Sequence, residues 1–319
     1  MKNLTFTQRR KQERRKKMIA AALSLSVIGG AVGAATPRAG AVDSAVKLAE
    51  NSVAAVECAL TTRAYIPAGA KEIDLIVNDR HVLDGRAFYM NGSTYVPMFA
   101  FADWLGNFEY SYNAWTKTAK ICGENLEINA TAGRLYISAN GRYFYTENEV
   151  LLHNGAVYVP ILPMVKALNG YVSFDSEKGA FVVRSGDTRK LRIGTNFYRD
   201  DEVYWLARII SAEAGAEPLK GKIAVGNVVL NRVRSEHFPN TIYGVIFDRK
   251  FGVQFSPVAN GTIYKEPTAE SIIAAKICLE GYMLSEDILY FMNPDIATSS
   301  WISNNRPVAF RIGNHVFYD

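Results

Sequence analysis

The chain has 319 residues, 49% hydrophobic and 21% charged, a composition that buries real cores and excludes wholesale disorder. Its formal charge of +5 is unevenly placed: nine Lys or Arg against Glu13 put +8 on residues 1–41 and leave −3 on the rest, so the body has no net attraction for nucleic-acid phosphates or anionic lipid. Cys58, Cys122 and Cys278 lie far apart, without the close pairs of a zinc site or a disulfide-stapled miniprotein, and the fold must rest on packing.

The basic stretch through Lys17 is followed by Met18 to Thr36, uncharged and rich in Ala, Leu, Ser, Val and Gly, then by Pro37 and the small residues Ala39, Gly40 and Ala41. That order is a secretory signal peptide over residues 1–41. The uncharged run approaches the length of about 20 residues that crosses a bilayer. An uncleaved leader is therefore the alternative, and membrane attachment follows only in that case. Either outcome places the body outside the membrane. Residues 42–72 read as a linker.

An internal repeat follows. Asn91-Gly92 and Asn154-Gly155, Tyr95-Val96-Pro97 and Tyr158-Val159-Pro160, then Leu105 and Leu168, all recur at an offset of 63. Each copy predicts an apolar strand, an Asn-Gly turn of the kind that closes tight hairpins, a strand ending at Pro, a short helix and a further strand pair. In copy one these are Ala87 to Met90, Thr94 to Val96, Met98 to Leu105 and Phe108 to Ile121. In copy two they are Val150 to His153, Val157 to Val159, Ile161 to Leu168 and Tyr171 to Val183. Tyr89, Trp104, Tyr110, Tyr112 and Trp115 are expected in the core or in cross-strand pairs rather than on a sugar platform.

From Asp200 the apolar period changes to that of a helix: Val203, Leu206, Ala207 and Ile210 share a stripe, with Asp200 and Asp201 supplying a cap and first-turn carboxylates. The helix should stop near Ala214 or Gly215. Pro218 should open a second helix through Val233, with Gly226 allowing close approach of a neighbour. Thr268 should cap a helix over Ala269 to Leu279. Ile288 to Phe291 and Val308 to Phe317 read as strands, the latter turned at Gly313-Asn314. The fold class is thus α+β in two domains.

Two resemblances sharpen this. The stretch "NGSTYVPMFAFADWLG" and its echo "NGAVYVPILPMVKALNG" resemble the copper amine oxidase N-terminal domain, which gives residues 73–186 an expected wall-targeting or spacer role and implies no copper site. His81 and His153 are expected to be ordinary surface or turn residues. The stretch "LARIISAEAGAEPLKGKIAVGNVVLNRVRSEHFPNTIYGVIF", followed by "QFSPV", "LYFMNP" and "IGNHVFY", resembles the cell wall hydrolase family of the spore cortex-lytic type. For residues 197–319 it implies a lysozyme-related, mostly helical domain with a small sheet, exported to the wall or spore cortex and acting on peptidoglycan glycan strands without a cofactor.

Glu213 is the candidate acid. It stands at a helix C-terminus beside an apolar stripe, where the negative end of the dipole and partial burial both raise a carboxyl pKa. Such a group can donate a proton near neutral pH. The family's E-A-x-x-E-P motif places its first Glu there. Glu217 reads as a hydrogen-bonding support for it. Gln254, Phe255, Ser256, Tyr290 and Asn293 are the expected substrate-binding residues, with Phe291 equally suited to the core and Trp301 and His315 to either support or contact. Four scattered histidines offer no metal site. Cys278, inside an apolar helix, reads as a buried thiol and not as the nucleophile of a Cys-His peptidase. With one acid and no placed second carboxylate, the resemblance implies a lytic transglycosylase cleaving between N-acetylmuramic acid and N-acetylglucosamine. A muramidase using water and a non-catalytic wall-binding protein are the alternatives.

Overall fold

The computed structural model describes residues 66–82, 86–250, 252–297 and 299–319; the expected signal peptide, most of the expected linker and Cys58 lie outside them. The described residues divide into two compact units, the first made of residues up to 140 and 144–192, the second of residues 141–143 and 193–319. Together they form a two-domain α+β protein.

The first unit holds three sheets. One has the order β1 (Lys71–Glu72), β4 (Phe88–Met90), β5 (Ser93–Pro97), β12 (Ala156–Pro160) and β11 (Leu151–His153). The second runs β10 (Arg142–Tyr145), β9 (Tyr136–Ala139), β8 (Leu126–Thr131), β7 (Thr118–Gly123) and β6 (Glu109–Asn113). The third runs β13 (Tyr171–Asp175), β14 (Ala180–Arg184), β2 (Asp74–Val77) and β3 (Arg80–Val82). Helices α1 (Met98–Leu105) and α2 (Ile161–Ala167) follow the Pro that ends β5 and β12 respectively.

The repeat explains this arrangement. β5 and β12 are equivalent strands and pair antiparallel with Tyr95 opposite Pro160, Val96 opposite Val159 and Pro97 opposite Tyr158. Val96 therefore meets its own counterpart, and a local two-fold axis passes between the copies. The Asn-Gly turns close as the sequence requires: Asn91 and Gly92 have φ of 51° and 83°, Asn154 and Gly155 47° and 76°. Strands β8 to β10 lie between the copies and were not anticipated. Among the aromatics, Tyr110 is buried and Tyr112 packs against the core. Trp104 and Trp115 depart from expectation: Trp104 lies on α1 with its side chain partly exposed, and Trp115, 92% exposed, sits in the β6–β7 turn with its backbone N–H on Asn113 Oδ1.

The second unit contains α3 (Gly194–Phe197), α4 (Asp200–Ala214), α5 (Leu219–Arg234), α6 (Ile242–Ile246), α7 (Ser256–Asn260), α8 (Ala269–Leu279) and α9 (Trp301–Asn305). Its small antiparallel sheet has the order β15 (Tyr290–Met292), β17 (His315–Tyr318), β16 (Val308–Ile312). Helices α4, α5 and α8 pack on one another. Gly226 is where they come closest: a Cβ there would lie 2.7 Å from Cys278 Sγ and 2.9 Å from Ile210 Cδ1. Thr268 caps α8 by accepting the Ser271 N–H at 3.1 Å.

Three boundaries shift by a residue or two. Arg199, not Asp200, is the N-cap of α4, and the acidic residues fill its first turn. Pro218 is the N-cap of α5 and not its first helical residue. β15 begins at Tyr290. Among the described residues no helix is long and apolar enough to cross a membrane, and no group of His, Cys, Asp and Glu could hold a metal ion.

Candidate active site

Glu213 lies in the last turn of α4, half-buried. The helix stops one residue later, and the Glu217 N–H folds back onto the Ala214 carbonyl at 3.0 Å. Glu213 opens into a cleft of about 920 Å³. A second side comes from Arg232 in the last turn of α5 and from Asp248 and the Gln254-Phe255-Ser256 segment leading into α7. Tyr290 and Phe291 of β15, with Trp301 and Arg306, form a third.

The sheet side is fixed by polar groups on α5. Asn227 Nδ2 donates to the Tyr282 carbonyl at 2.9 Å and Asn227 Oδ1 accepts the Leu284 N–H at 2.9 Å. Asn231 Nδ2 donates to the Ser285 and Ile288 carbonyls, and Arg232 Nε to the Leu289 carbonyl at 2.8 Å. Three side chains on two successive turns thus bind the backbone of the segment entering β15. Apolar residues there could pack but could not satisfy those buried backbone groups. The result is a fixed position for Tyr290 and Phe291.

The electrostatics single out two groups. Burial pushes the Glu213 carboxyl up to about 7, with Arg232 opposing the rise. Burial likewise brings the Arg232 guanidinium down to about 10. Desolvation is the main cause of the Glu213 shift. Arg232 is 5% exposed and sits over the rings of Phe238, Phe255 and Tyr290 at 5.0, 5.2 and 5.5 Å. Its Nη1 is enclosed without a hydrogen bond.

The expected residues separate into those that meet in the cleft and those that do not. Glu213, Gln254, Phe255, Ser256 and Tyr290 line it together, Phe255 as a buried floor. Glu217 does not. At 7% exposure it lies under the β16–β17 turn, accepting the Asn314 backbone N–H at 3.2 Å and Asn314 Nδ2 at 3.0 Å. Gly313 leaves room for it, since a Cβ there would overlap Glu217 Oε2. Asn293 also stays out of the cleft wall, contrary to expectation: its Oδ1 accepts the Asp295 N–H at 3.0 Å, which makes it the turn-former of Asn293-Pro294-Asp295. Trp301 is a contact residue of the cleft. His315 supports it from behind, buried with its ring against Phe291 at 5.4 Å. Cys278 is buried, its thiol pushed far up by burial.

Sequence reasoning missed Arg232, His237, Asp248 and Arg306. Arg232 carried a faint signal, a charge amid Asn227, Val228, Val229, Leu230 and Asn231, where a solvent-facing stripe would need polar residues spaced differently. Asp248 and Arg306 lie outside any periodic element and carried none.

This is a two-domain α+β protein whose helical unit holds one cleft carboxyl poised near neutrality. Residues 216–318 match the cell wall hydrolase family, and residues 76–199 match the copper amine oxidase N-terminal domain. The hydrolase match begins just after Glu213, whose place in the site comes from the geometry above. The chain is 40% identical over 120 residues to a spore cortex-lytic enzyme of Bacillus subtilis (strain 168), covering 38% of each. It is 39% identical over 122 residues to one from Bacillus cereus, covering 38% of this chain and 46% of that one. The chain thus spans less than half the length of these curated relatives. The solved catalytic domain of a germination-specific lytic transglycosylase from Bacillus anthracis is 38% identical, with a TM-score of 0.35, covering 38% of this chain and 97% of that one.

Proposed function

We propose that this protein cleaves peptidoglycan between N-acetylmuramic acid and N-acetylglucosamine as a lytic transglycosylase, with residues 197–319 as the catalytic part and Glu213 as its acid. The supporting observation is the half-buried Glu213 carboxyl, raised to about 7 and opening into a cleft walled by Phe255, Tyr290, Phe291 and Trp301. A protonated carboxyl at that poise can give its proton to the glycosidic oxygen, and aromatic faces suit sugar rings. As the proton transfers, the bond from muramic C1 to that oxygen breaks and its electron pair leaves on the oxygen, which departs as the 4-hydroxyl of N-acetylglucosamine. The muramic C6 hydroxyl then bonds to C1 and returns its proton to the Glu213 carboxylate. No water is consumed, and the product is a 1,6-anhydro sugar. Ring closure within a bound sugar has already met most of the entropic cost of bringing the reactants together. A leader of the expected kind over residues 1–41 and a wall-polymer substrate support a reading in which the activity lies outside the cytoplasm, in cell wall or spore cortex.

One observation favours a second reading, a muramidase using water. Asp248 lines the same cleft, whereas Glu217, the nearest second carboxylate in the sequence, is turned away to Asn314. Two carboxyls flanking the scissile bond are what a water-using glycosidase requires. Borohydride treatment of digested sacculi separates the two. Transglycosylase products resist reduction and run one water lighter by mass spectrometry. If most muramic ends appear as muramitol, water is the nucleophile and Asp248 is the base to replace.

A further inference from the structure

Among the described residues Arg232 is a buried cation without a salt bridge. Its Nε donates to the neutral Leu289 carbonyl, and its guanidinium sits over the faces of three aromatic rings. Taking a charge out of water costs several kcal/mol unless something offsets it. The rings and a carbonyl offset part of that cost, yet Nη1 remains enclosed and unpaired. The charge in this arrangement is not needed to hold the segment, because a neutral donor would bind the Leu289 carbonyl at less cost. A fixed charge there is suited to acting on a charge that appears only during a reaction, since Arg232 lines the same cleft as Glu213.

We propose that Arg232 is a positioning residue for proton transfer, supplying the fixed positive charge that lets Glu213 exist as a carboxylate between its two proton transfers. The proposal rests on the reading of Glu213 as the acid. In that reading one side chain must first be an acid and then a base. Burial alone favours the acid and penalises the base. A cation held in place by the Leu289 carbonyl and the ring cage stabilises the ionised form without moving, so no reorganisation is needed when the charge appears. The other charged or titratable groups around the cleft are Asp248 and His237 on the α5 to α7 side and Tyr290 and Arg306 on the sheet side. Asp248, Tyr290 and Glu213 act on Arg232, but among these groups only Arg232 registers on Glu213.

The test is the pH profile of peptidoglycan cleavage by the full chain carrying Arg232→Met or Arg232→Lys, with Glu213→Gln as the control. Methionine fills the cage without charge, and such replacements of buried ions are often tolerated. The expected result is that the alkaline limb of the wild-type profile moves by a pH unit or more to higher pH in Arg232→Met, with kcat down at least tenfold, while Arg232→Lys keeps the limb within a few tenths of a unit. A loss of activity or of Tm in Arg232→Met with the limb unmoved overturns the proposal and leaves Arg232 structural. Arg232→Gln repeats the neutral test should the Met variant not fold. An active Glu213→Gln protein instead overturns the acid assignment itself, so the two failures are distinguishable.

Discussion

The two units treat buried polar groups in opposite ways. In the first, the buried polar side chains among the described residues are Thr94 and Thr146, and Asn91, Asn125 and Asn154 sit at exposed hairpin turns. In the second, Arg208, Glu217, Lys222, Asn227, Asn231, Arg232, Ser271 and His315 are all buried. A buried polar group costs stability unless partnered, so a unit that collects them is fixing positions and not merely filling volume. The first unit solves a packing problem by using one motif twice about a local two-fold axis. The second accepts polar groups in its interior, and the segment they hold carries one side of the cleft.

The largest effect that would test this contrast is catalytic. Glu213→Gln is expected to keep the fold, by circular dichroism and Tm, and to lower peptidoglycan cleavage by roughly 10²- to 10⁴-fold, the range general acid-base groups contribute. Glu217→Gln should retain most activity and lose about 1–3 kcal/mol of stability, because an amide cannot accept both Asn314 donors as the carboxylate does. A Glu217 variant as inactive as the Glu213 variant would mean that the carboxyl under the β16–β17 turn takes part in the chemistry.

Much of this architecture was legible because it depends on local rules. The Asn-Gly turns require positive φ at both positions, the repeat announces itself by spacing, and α4 ends where Gly215 and Pro218 interrupt its period. Gly226 foretold a close helix contact, and Cys278 a buried thiol. The rest was not legible for one physical reason: it depends on partners distant in sequence. Glu217 and Asn314 are 97 residues apart, and Asn231 finds the Ile288 carbonyl 57 residues away. Arg232 and Asp248 have the composition of solvated surface residues, and only packing makes the one buried and both part of a cleft. Asn293 misled in the other direction, since a motif of turn residues looked like a binding loop.

A smaller effect follows from the raised Glu213 carboxyl. Its folded value of about 7 lies above an unfolded carboxylate near 4.5. Below the lower value both states are protonated and the group contributes nothing. Between the two, the unfolded chain releases a proton that the folded chain keeps, so stability falls as pH rises. Above about 7 the full penalty persists. The penalty is on the order of 3 kcal/mol. Glu213→Gln should therefore raise Tm relative to wild type at pH 8 by several degrees and leave it nearly unchanged at pH 4.5. Equal shifts at both pH values would show that burial does not hold the carboxyl where the cleft geometry places it.

The smallest expected effect concerns the first unit, for which the described residues show no cleft chemistry and the resemblance suggests wall targeting or spacing. The second unit has its own apolar interior, built from Leu206, Ile209, Ile210, Ile223, Val229 and Ile277, and is of a size that folds alone. Residues 193–319 expressed by themselves should therefore cleave soluble glycan fragments as fast as the whole chain. If the repeat binds wall polymer, the truncated protein should lose only the gain that comes from linking two weak sites, a several-fold drop in sedimentation with insoluble peptidoglycan that grows as the polymer is diluted. Equal sedimentation of both proteins would remove the targeting role, because a spacer changes reach and not affinity. The pseudo-symmetric repeat would then be a spacer. Slower cleavage of soluble fragments by the truncated protein would cut deeper, since it would mean that the two units are not separable in function.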